Sequence, residues 1–373
     1  MKILVLIHEF PPVGGGGGRA AQDICLGLVK LGHEITVLTA QLKGLPKEED
    51  VDGIHVLRLP SLRREAFRAD LKAMGGYVLS GLWAGYRLIK RWRPDLIHVH
   101  FAVPAGALAW MLSNLTGIPY IMTVHLGDVP GGVPEKTGGW FKWILPFTYP
   151  IWRGAKRVIA VSEFTRQLAL KHYQRGIEVI PNGVDLDRLR PAGIRVQEPP
   201  RIVFAGRMMA QKNPLQIVYT LAELKDLPWQ CVLLGDGPLM SEVRQAIAEH
   251  GLLERFMLPG WVTPEEVLNW FDKSDILFMP SLSEGLPVVG VQALAKGLAL
   301  IVSDIGGFVD LVNEGENGHL IDGSNPDAYA FALRELLLDH KRLAIFREKS
   351  LVKSGQFEIH TIVEKYNRLL ANG

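Results

Sequence analysis

Short apolar runs alternate with longer amphipathic segments along most of the 373-residue chain. In the first half these runs predict strands at residues 3–7, 34–39, 55–59, 96–100, 120–124, 158–161 and 178–180. The pattern starts again after residue 200, with RIVFAG, QCVLLG, RFMLPG, DILFMP and ALIVSD. Apolar strands separated by helices indicate parallel sheets covered on both faces. The sequence therefore predicts an α/β protein with two doubly wound parallel sheets, which imply a cleft between two domains.

A break in this pattern predicts the domain boundary. Pro191, Gly193, Pro199 and Pro200 interrupt any regular element between the two halves. We therefore expect an N-terminal Rossmann-like domain at residues 1–190 and a C-terminal one at residues 191–355. A last helix, at about residues 356–373, is expected to pack back on the N-terminal domain.

The five consecutive glycines in HEFPPVGGGGGRAA, residues 8–21, indicate a close approach of the backbone to a ligand, most plainly a phosphate. Gly15, Gly17 and Ala20 fit a dinucleotide-binding fingerprint. However, six residues separate the first strand from Gly14, and the residues at the end of the second strand, Thr39, Ala40 and Gln41, offer no carboxylate for a ribose. A P-loop is excluded because no Gly-Lys-Ser/Thr follows. A plain surface loop remains the alternative.

Composition places few further limits on function. Two cysteines, Cys25 and Cys231, are too few for a disulfide framework and indicate buried thiols in a reducing compartment. The N-terminal MKILVLIHEFPP is too short for a secretory signal, and prolines interrupt the apolar run at 101–124, so we expect no membrane span. We therefore expect a cytoplasmic protein. Because no nucleic-acid-binding module is recognisable, we also expect no nucleic-acid partner.

Charge is distributed unevenly between the halves. Residues 1–190 contain 24 Lys and Arg against 16 Asp and Glu, whereas residues 191–373 contain 17 against 23. The first half therefore has a formal charge of +8 and the second half −6, although the whole chain has only +2. Such asymmetry indicates that one half meets an anionic partner.

Charged residues follow two strands of the second half, at the sheet edge where ligands bind in open α/β folds. Arg207 and Lys212 come just after RIVFAG and could clamp a diphosphate, although a solvated basic turn is the alternative. Glu284 follows DILFMP and precedes a helix that begins near Gly285 and Pro287, where unpaired N–H groups favour an anion. A helix-capping role for Glu284 is the alternative.

Eight motifs in this order resemble glycosyltransferase family 4, a family of retaining enzymes with the GT-B fold. They are PPVGGGGGRAA, TVHLGD, VSEFTR, PNGVD, GRMMAQKN, LLGDGP, LPGWV and PSLSEGLPVVGVQALAKGLALIVSDIGG. The resemblance extends from about residue 2 to about residue 340. It implies a hexosyltransferase that uses a nucleoside diphosphate sugar as its donor substrate. We expect no cofactor.

The resemblance also implies roles for residues of both domains. Gly16 and Gly17 would present backbone N–H groups to the donor diphosphate, and His125 would lie at the anomeric centre with Asp128 nearby. Arg207 and Lys212 would neutralise the diphosphate, and Glu284 would hold sugar hydroxyls. Further contacts to the nucleobase and the phosphates would come from Gly260, Val262, Gly285, Leu286, Pro287 and Val288. The catalytic residues are therefore expected to be His125, Arg207, Lys212 and Glu284.

Gln292 departs from the family pattern. The E-x7-E motif would place a second glutamate there, which in the family accepts hydrogen bonds from both ribose hydroxyls. A glutamine offers one oxygen acceptor and an NH2 donor. We therefore expect activity with altered donor affinity, and the nucleotide, UDP or GDP, stays open.

Two other polar features have simpler interpretations. A histidine at a strand end, such as His125, is often structural, and His98 and His100 show that this chain uses histidine freely. Asp185 and Asp187 match the Asp-x-Asp signature of metal-dependent glycosyltransferases, but they follow PNGV without the strand that the signature requires. We expect no metal site.

The leading hypothesis is transfer of a hexose or N-acetylhexosamine, with retention, to a glycan or lipid-linked acceptor. A sugar-nucleotide epimerase on the same fold and a non-catalytic two-lobed sugar-binding protein are the alternatives. GGWFKWILPFTYPIWRGAKR, residues 138–157, combines aromatic and basic side chains, which suit the inner face of a membrane. A core helix with a basic end is the alternative for this segment.

Overall fold

The computed structural model describes residues 1–66, 69–133 and 141–371 and divides into two compact units. The first unit contains Met1–Gly183 and Ile359–Gly373, and the second contains Val184–Glu358. The division lies before the predicted residue 190 because Val184 already pairs with the end of the second unit. Its N–H donates to the Phe357 carbonyl at 2.8 Å, and a parallel bridge joins it to Glu358. The chain re-enters the first unit at Ile359.

The first unit is built on an eight-stranded sheet with the order β3-β4-β2-β1-β5-β6-β7-β8. All neighbouring strands are parallel except β3 and β4. The strands are β1 Lys2–Leu6, β2 Glu34–Leu42, β3 Glu48–Val51, β4 Ile54–Arg63, β5 Leu96–His100, β6 Tyr120–Val124, β7 Arg157–Ala160 and β8 Glu178–Val179. The hairpin strand β3 is not predicted from the sequence, because its residues EEDV are polar and half-exposed.

Helices cover both faces of this sheet. They are α1 Gly16–Lys30, α2 Leu71–Trp92, α3 Ala107–Thr116, α4 Phe141–Gly154 and α5 Glu163–Leu170. Alternate side chains of β1 point to opposite faces, as strand geometry requires. Leu4 and Leu6 pack in one apolar cluster, whereas Ile3 and Val5 pack in another on the other side.

The second unit is built on a six-stranded, wholly parallel sheet with the order β11-β10-β9-β12-β13-β14. Its strands are β9 Arg201–Ala205, β10 Gln230–Leu234, β11 Phe256–Gly260, β12 Ile276–Met279, β13 Ala299–Ser303 and β14 Gly318–Ile321. Its helices are α6 Leu186–Leu189, α7 Pro214–Ala222, α8 Met240–Glu249, α9 Pro264–Phe271, α10 Val288–Ala295, α11 Phe308–Leu311, α12 Asp327–Leu338 and α13 His340–Ser354. The short edge strand β14 is not predicted from the sequence.

The last helix, α14 Ile359–Ala371, belongs to the first unit. Its apolar side Ile362, Val363 and Tyr366 is buried in the same cluster as Ile3 and α1. Gly27 of α1 allows this packing, since a Cβ there would collide with the Val363 side chain. Short helical turns complete the fold at Ala102–Gly106, Leu126–Asp128, Ala210–Lys212, Leu253–Arg255 and Gly355–Phe357. In the part of the chain that the structure describes, no helix is long and apolar enough to cross a membrane.

A buried ion pair fixes the segment that leads into β9. Arg347 Nη1 donates to Asp275 Oδ1 at 2.5 Å, and both side chains are almost wholly buried. Asp275 also accepts hydrogen bonds from the backbone N–H groups of Gln197 and Arg201. Burial raises the pKa of Asp275, while the charge of Arg347 opposes that shift. The pair therefore joins α13, the start of β12 and the residues before β9.

We predict that Asp275→Ala lowers the free energy of unfolding by about 3–5 kcal/mol, because it leaves the Arg347 guanidinium buried without its partner. Glu364→Ala is the control, since Glu364 and Arg368 form an ion pair at 3.3 Å that is largely exposed. That pair should contribute no more than about 1 kcal/mol. Urea denaturation measures both variants, and equal losses would contradict the prediction.

Candidate functional site

The glycine run, residues 14–18, lies at the carboxyl edge of the first sheet and includes the start of α1. Gly16, Gly17 and Gly18 form the first turn of that helix, and its N-cap residue is Gly15. N–H groups in a first helical turn have no partner within the helix and favour an anion. The positions of Gly16 and Gly17 are therefore compatible with the phosphate contact predicted from the sequence.

Packing explains most of the glycines without a ligand. A Cβ at Gly14 would lie 2.5 Å from the Cβ of Glu9, and one at Gly18 would lie 2.5 Å from the Glu9 carbonyl oxygen. A Cβ at Gly17 would lie 2.7 Å from Cζ of Phe101. Only Gly15 among these four has open space around that position. Close packing therefore requires glycine at three positions of the run.

His125 and Asp128 follow β6 at the same edge. The Asp128 side chain is 3% exposed, and its Oδ2 accepts a hydrogen bond from the His125 N–H at 2.8 Å. Its Oδ1 accepts from the Ala102 N–H, which follows β5, at 2.9 Å. The half-buried imidazole of His125 stacks on the Phe101 ring with 4.4 Å between centroids. The Asp128 side chain thus links the loop after β5 to the loop after β6, which contains His125.

His98 and His100 lie in β5 and are buried inside the first unit. His98 Nε2 is 2.9 Å from Thr123 Oγ1, and burial lowers the pKa of His98 to about 3. Burial also lowers the pKa of His100 well below its ordinary value, and the neighbouring His98 and His125 add to that shift. Both imidazoles are therefore neutral at physiological pH, which agrees with a structural use of histidine at these positions.

In the second unit, Lys212 and Glu284 form an ion pair that the sequence does not predict. Lys212 ends the short helix Ala210–Lys212 after β9, and its Nζ donates to Glu284 Oε1 at 2.5 Å. Both side chains are largely buried. Gln211 strengthens this link, since its amide donates to the Ser283 carbonyl at 2.8 Å. The half-buried Arg207 lies two residues after the end of the same strand.

The loop after β12 approaches the loop after β13 very closely. A Cβ at Gly306 would collide with the Glu284 carbonyl, and one at Gly307 with the Gly285 carbonyl. Leu286 and Pro287 are buried, and Pro287 is the N-cap of α10, which begins at Val288. The glycines of the IGG sequence thus fix the backbone that presents Glu284 and the start of α10.

The remaining predicted donor contacts lie farther along the same unit. Gly260 ends β11 with φ 78°, and its carbonyl accepts a hydrogen bond from the Gly235 N–H at 2.8 Å. Val262 follows in a half-buried position, and Gln292 is half-buried in α10. The contacts that the structure describes for Gly260, Val262 and Gln292 do not indicate which ligand group they would bind.

The Asp-x-Asp sequence has a structural role in part. Asp185 caps α6, because its side chain accepts a hydrogen bond from the Arg188 N–H at 3.0 Å, whereas Asp187 is exposed. Across residues 1–66, 69–133 and 141–371, no three His, Cys, Asp or Glu side chains are grouped so that they could hold a metal ion. The capping contact accounts for Asp185 without a metal.

Two family models match consecutive parts of the chain. Glycosyltransferase Family 4 matches residues 14–188, and Glycosyl transferases group 1 matches residues 187–351. The chain belongs to the group 1 glycosyltransferases. The resemblance seen in the eight sequence motifs is thereby confirmed.

Relatives and solved structures agree with this membership. The 2-deoxystreptamine glucosyltransferase of Streptomyces kanamyceticus is 29% identical over 77% of this chain and 80% of the relative. The Escherichia coli UDP-Gal:alpha-D-GlcNAc-diphosphoundecaprenol alpha-1,3-galactosyltransferase is 29% identical over 66% of this chain and 67% of the relative. Anabaena Alr3699/HepE, solved in complex with UDP and glucose, has a TM-score of 0.80 at 19% identity, over 100% of both chains. The predicted GT-B fold is confirmed.

Proposed function

We propose that this glycosyltransferase moves a hexose or N-acetylhexosamine from a UDP-sugar to a lipid-linked glycan acceptor, with retention at the anomeric carbon. The observation that supports the donor site is the grouping of cationic and N–H donors at one edge of the second sheet. Arg207, Lys212 and the start of α10 lie on adjoining loops after β9 and β12, and Lys212 is paired with Glu284. Such a grouping suits a diphosphate.

UDP is proposed over GDP because of two similar proteins. Anabaena Alr3699/HepE is described in complex with UDP and glucose, and the E. coli relative is named for UDP-Gal. Gln292 would contact the ribose from α10, in place of the family glutamate. Gly260 and Val262 would lie beside the base, as the resemblance implies.

In the proposed reaction, the bond between the anomeric carbon and the diphosphate oxygen breaks while the acceptor oxygen attacks from the same face. The departing phosphate oxygen takes the proton of the acceptor hydroxyl. Arg207 and Lys212 would stabilise the negative charge that develops, and one well-placed donor of this kind contributes about 3–4 kcal/mol. The ion pair with Lys212 makes the Glu284 carboxylate less nucleophilic. This favours a role in binding sugar hydroxyls over a role as the nucleophile that attacks the anomeric carbon. In the first unit, Gly16 and Gly17 would contact phosphate, and His125 would act at the sugar.

We predict that UDP-sugars, and not GDP-sugars, stabilise the purified protein in thermal denaturation. A donor at 100 times its dissociation constant should add about 2.7 kcal/mol. Transfer to a lipid-linked glycan should give a product that keeps the anomeric configuration of the donor, which NMR of the product measures. A chelator should leave the transfer rate unchanged. Stabilisation by GDP-sugars alone, an inverted product, or conversion of the donor to its epimer would each contradict the proposal.

We predict that Lys212→Glu weakens UDP binding by more than about 3 kcal/mol, because the diphosphate would meet two carboxylates in place of an ion pair. Lys225→Glu makes the same charge change at an exposed position of the same unit and should bind UDP normally. Isothermal titration calorimetry measures the UDP affinity of both variants. If Lys212→Glu does not fold, Lys212→Met replaces it as the test variant. Near-normal affinity of the Lys212 variants would remove this side chain from the donor site.

The acceptor proposal rests on exposed aromatic side chains in the first unit. Trp143 and Phe147 lie one turn apart on α4 and are 82% and 74% exposed, whereas Trp152 of the same helix is buried. On α2, Leu79 and Trp83 are also exposed, and the Arg87 guanidinium lies 4.6 Å from the Trp83 ring centroid. Trp140 of the predicted segment lies outside the described residues, as do the side chains of residues 141 and 142.

Exposed tryptophans beside cations suit the interface of an anionic bilayer. Residues 1–190 have a formal charge of +8, and a basic residue near such a surface contributes about 1 kcal/mol. We therefore propose that the first unit docks on the inner face of a membrane through α2 and α4. This would give access to an acceptor of the kind named for the E. coli relative, a sugar on diphosphoundecaprenol.

We predict that vesicles containing anionic lipid co-sediment the protein at low salt and release it as salt rises. Phe147→Ser should weaken this binding, because it removes an apolar side chain from the interface. Phe331→Ser is the matched control, since Phe331 is equally exposed, at 74%, but lies in the second unit. Equal effects of the two variants, or no binding at any salt together with full activity on a soluble acceptor, would contradict membrane docking.

A further inference from the structure

Phe101 has a backbone conformation that its side chain disfavours. It directly follows β5, and its φ and ψ are 72° and 126°. For a bulky residue a positive φ in this range is an outlier, and such strain persists only where surrounding contacts impose it. Its N–H donates to the Thr123 carbonyl at 3.0 Å, and its carbonyl accepts from the Gly106 N–H at 3.0 Å. The backbone on both sides of the ring is therefore held in place.

The strained backbone directs the Phe101 ring onto two predicted site residues. The ring stacks on the His125 imidazole at 4.4 Å between centroids, with an interplanar angle of 27°. Its Cζ occupies the space where a Cβ of Gly17 would lie, only 2.7 Å from that position. A third contact, edge-on with His8 at 5.1 Å, limits the ring on another side. One aromatic ring thus contacts both the first turn of α1 and the histidine after β6.

A core residue alone would not need this arrangement. The five residues of β5 are buried and none has a positive φ, whereas Phe101 is half-buried and packs against the border of the cluster that contains Ile24. Its loop is also tied to the His125 loop, because one carboxylate, Asp128, accepts from the N–H groups of Ala102 and His125. The strain, the stacking and the shared carboxylate all act on the placement of a single imidazole.

We propose that Phe101 is a positioning residue that fixes the plane of the His125 imidazole and its separation from the first turn of α1. The proposal rests on the proposed role of His125 in sugar transfer. It also bears on Gly17: a methyl group there would displace the Phe101 ring, which stacks on the imidazole, and would itself lie 3.3 Å from His125 Cε1.

The test combines Phe101→Leu, Gly17→Ala and the double variant. Leucine removes Cζ, the atom nearest to the new methyl group, whereas the tight contact of that methyl group with His125 Cε1, at 3.3 Å, remains. We expect each single variant to lower kcat by about 10- to 100-fold, as small misplacements of reacting groups do, with the dissociation constant of UDP for Phe101→Leu unchanged within about twofold. The double variant should recover part of the Gly17→Ala loss. If the two losses simply multiply, Gly17 does not act through Phe101, and the proposal is wrong.

A second readout does not depend on turnover. The chain has 11 histidines, and labelling at Cε1 with assignment by His125→Gln identifies the His125 resonance by NMR. Stacking on an aromatic face shifts this resonance upfield, so Phe101→Leu should move it downfield. Ile24→Val is the control, because it removes a methylene from the buried cluster against which Phe101 packs. This variant should leave both the His125 resonance and kcat unchanged. An unmoved resonance overturns the positioning role, even if sugar transfer is established. A moved resonance in a protein without transferase activity would instead refute the proposed function alone.

Discussion

The carboxylate of Asp128 determines the shape of the site edge in the first unit. It is almost wholly buried, and it accepts hydrogen bonds from backbone N–H groups after two different strands, β5 and β6. A buried carboxylate must be satisfied by donors that stay in place, and hydrogen bonds to a charged acceptor are stronger than neutral ones. The two loops therefore have one joint arrangement, in which Phe101 keeps its positive φ and His125 its stacked ring. The chemistry proposed for His125 depends on this constraint.

The second unit reaches a similar result by different means. There the loops after β9 and β12 are joined through side chains, by the Lys212–Glu284 pair and the Gln211 amide. The loop after β13 is joined through bare backbone at Gly306 and Gly307. Close approach of three loops at the carboxyl edge follows from parallel strands, because all of them end on the same side. The sequence supplies the two kinds of residue that permit this contact, a charged pair and glycine.

Much of the fold is readable from the sequence because parallel strands are buried on both faces. β5 and β6, LIHVH and YIMTV, are predicted to the residue, since every position in them is buried. β3 and β14 lie at sheet edges, where strands need few apolar residues, and the pattern of EEDV or GHLI gives no signal. His125, Arg207 and Glu284 lie in loops after strands, whereas Gly16 and Gly17 lie in the first turn of α1 and Gln292 lies in α10. However, Phe101 could not be singled out, because no local pattern reveals a positive φ in a phenylalanine. The partnership of Lys212 with Glu284 joins positions 72 residues apart, which only the folded sheet brings together.

The glycine run shows why a motif and its physical cause must be separated. Five consecutive glycines indicate a phosphate by analogy, yet Gly14, Gly17 and Gly18 are required by contacts with Glu9 and Phe101. Packing therefore explains glycine at these three positions of the run, and these three would be needed even in a protein that binds no phosphate. What favours an anion is the orientation of the N–H groups in the first turn of α1, which lacks acidic residues. Since close packing brings that turn against Phe101 and His125, the same glycines that satisfy the core also place helical N–H groups beside the histidine. Packing thus accounts for three of the glycines, and the helix start that this packing holds in place is what the proposed anion contact would use.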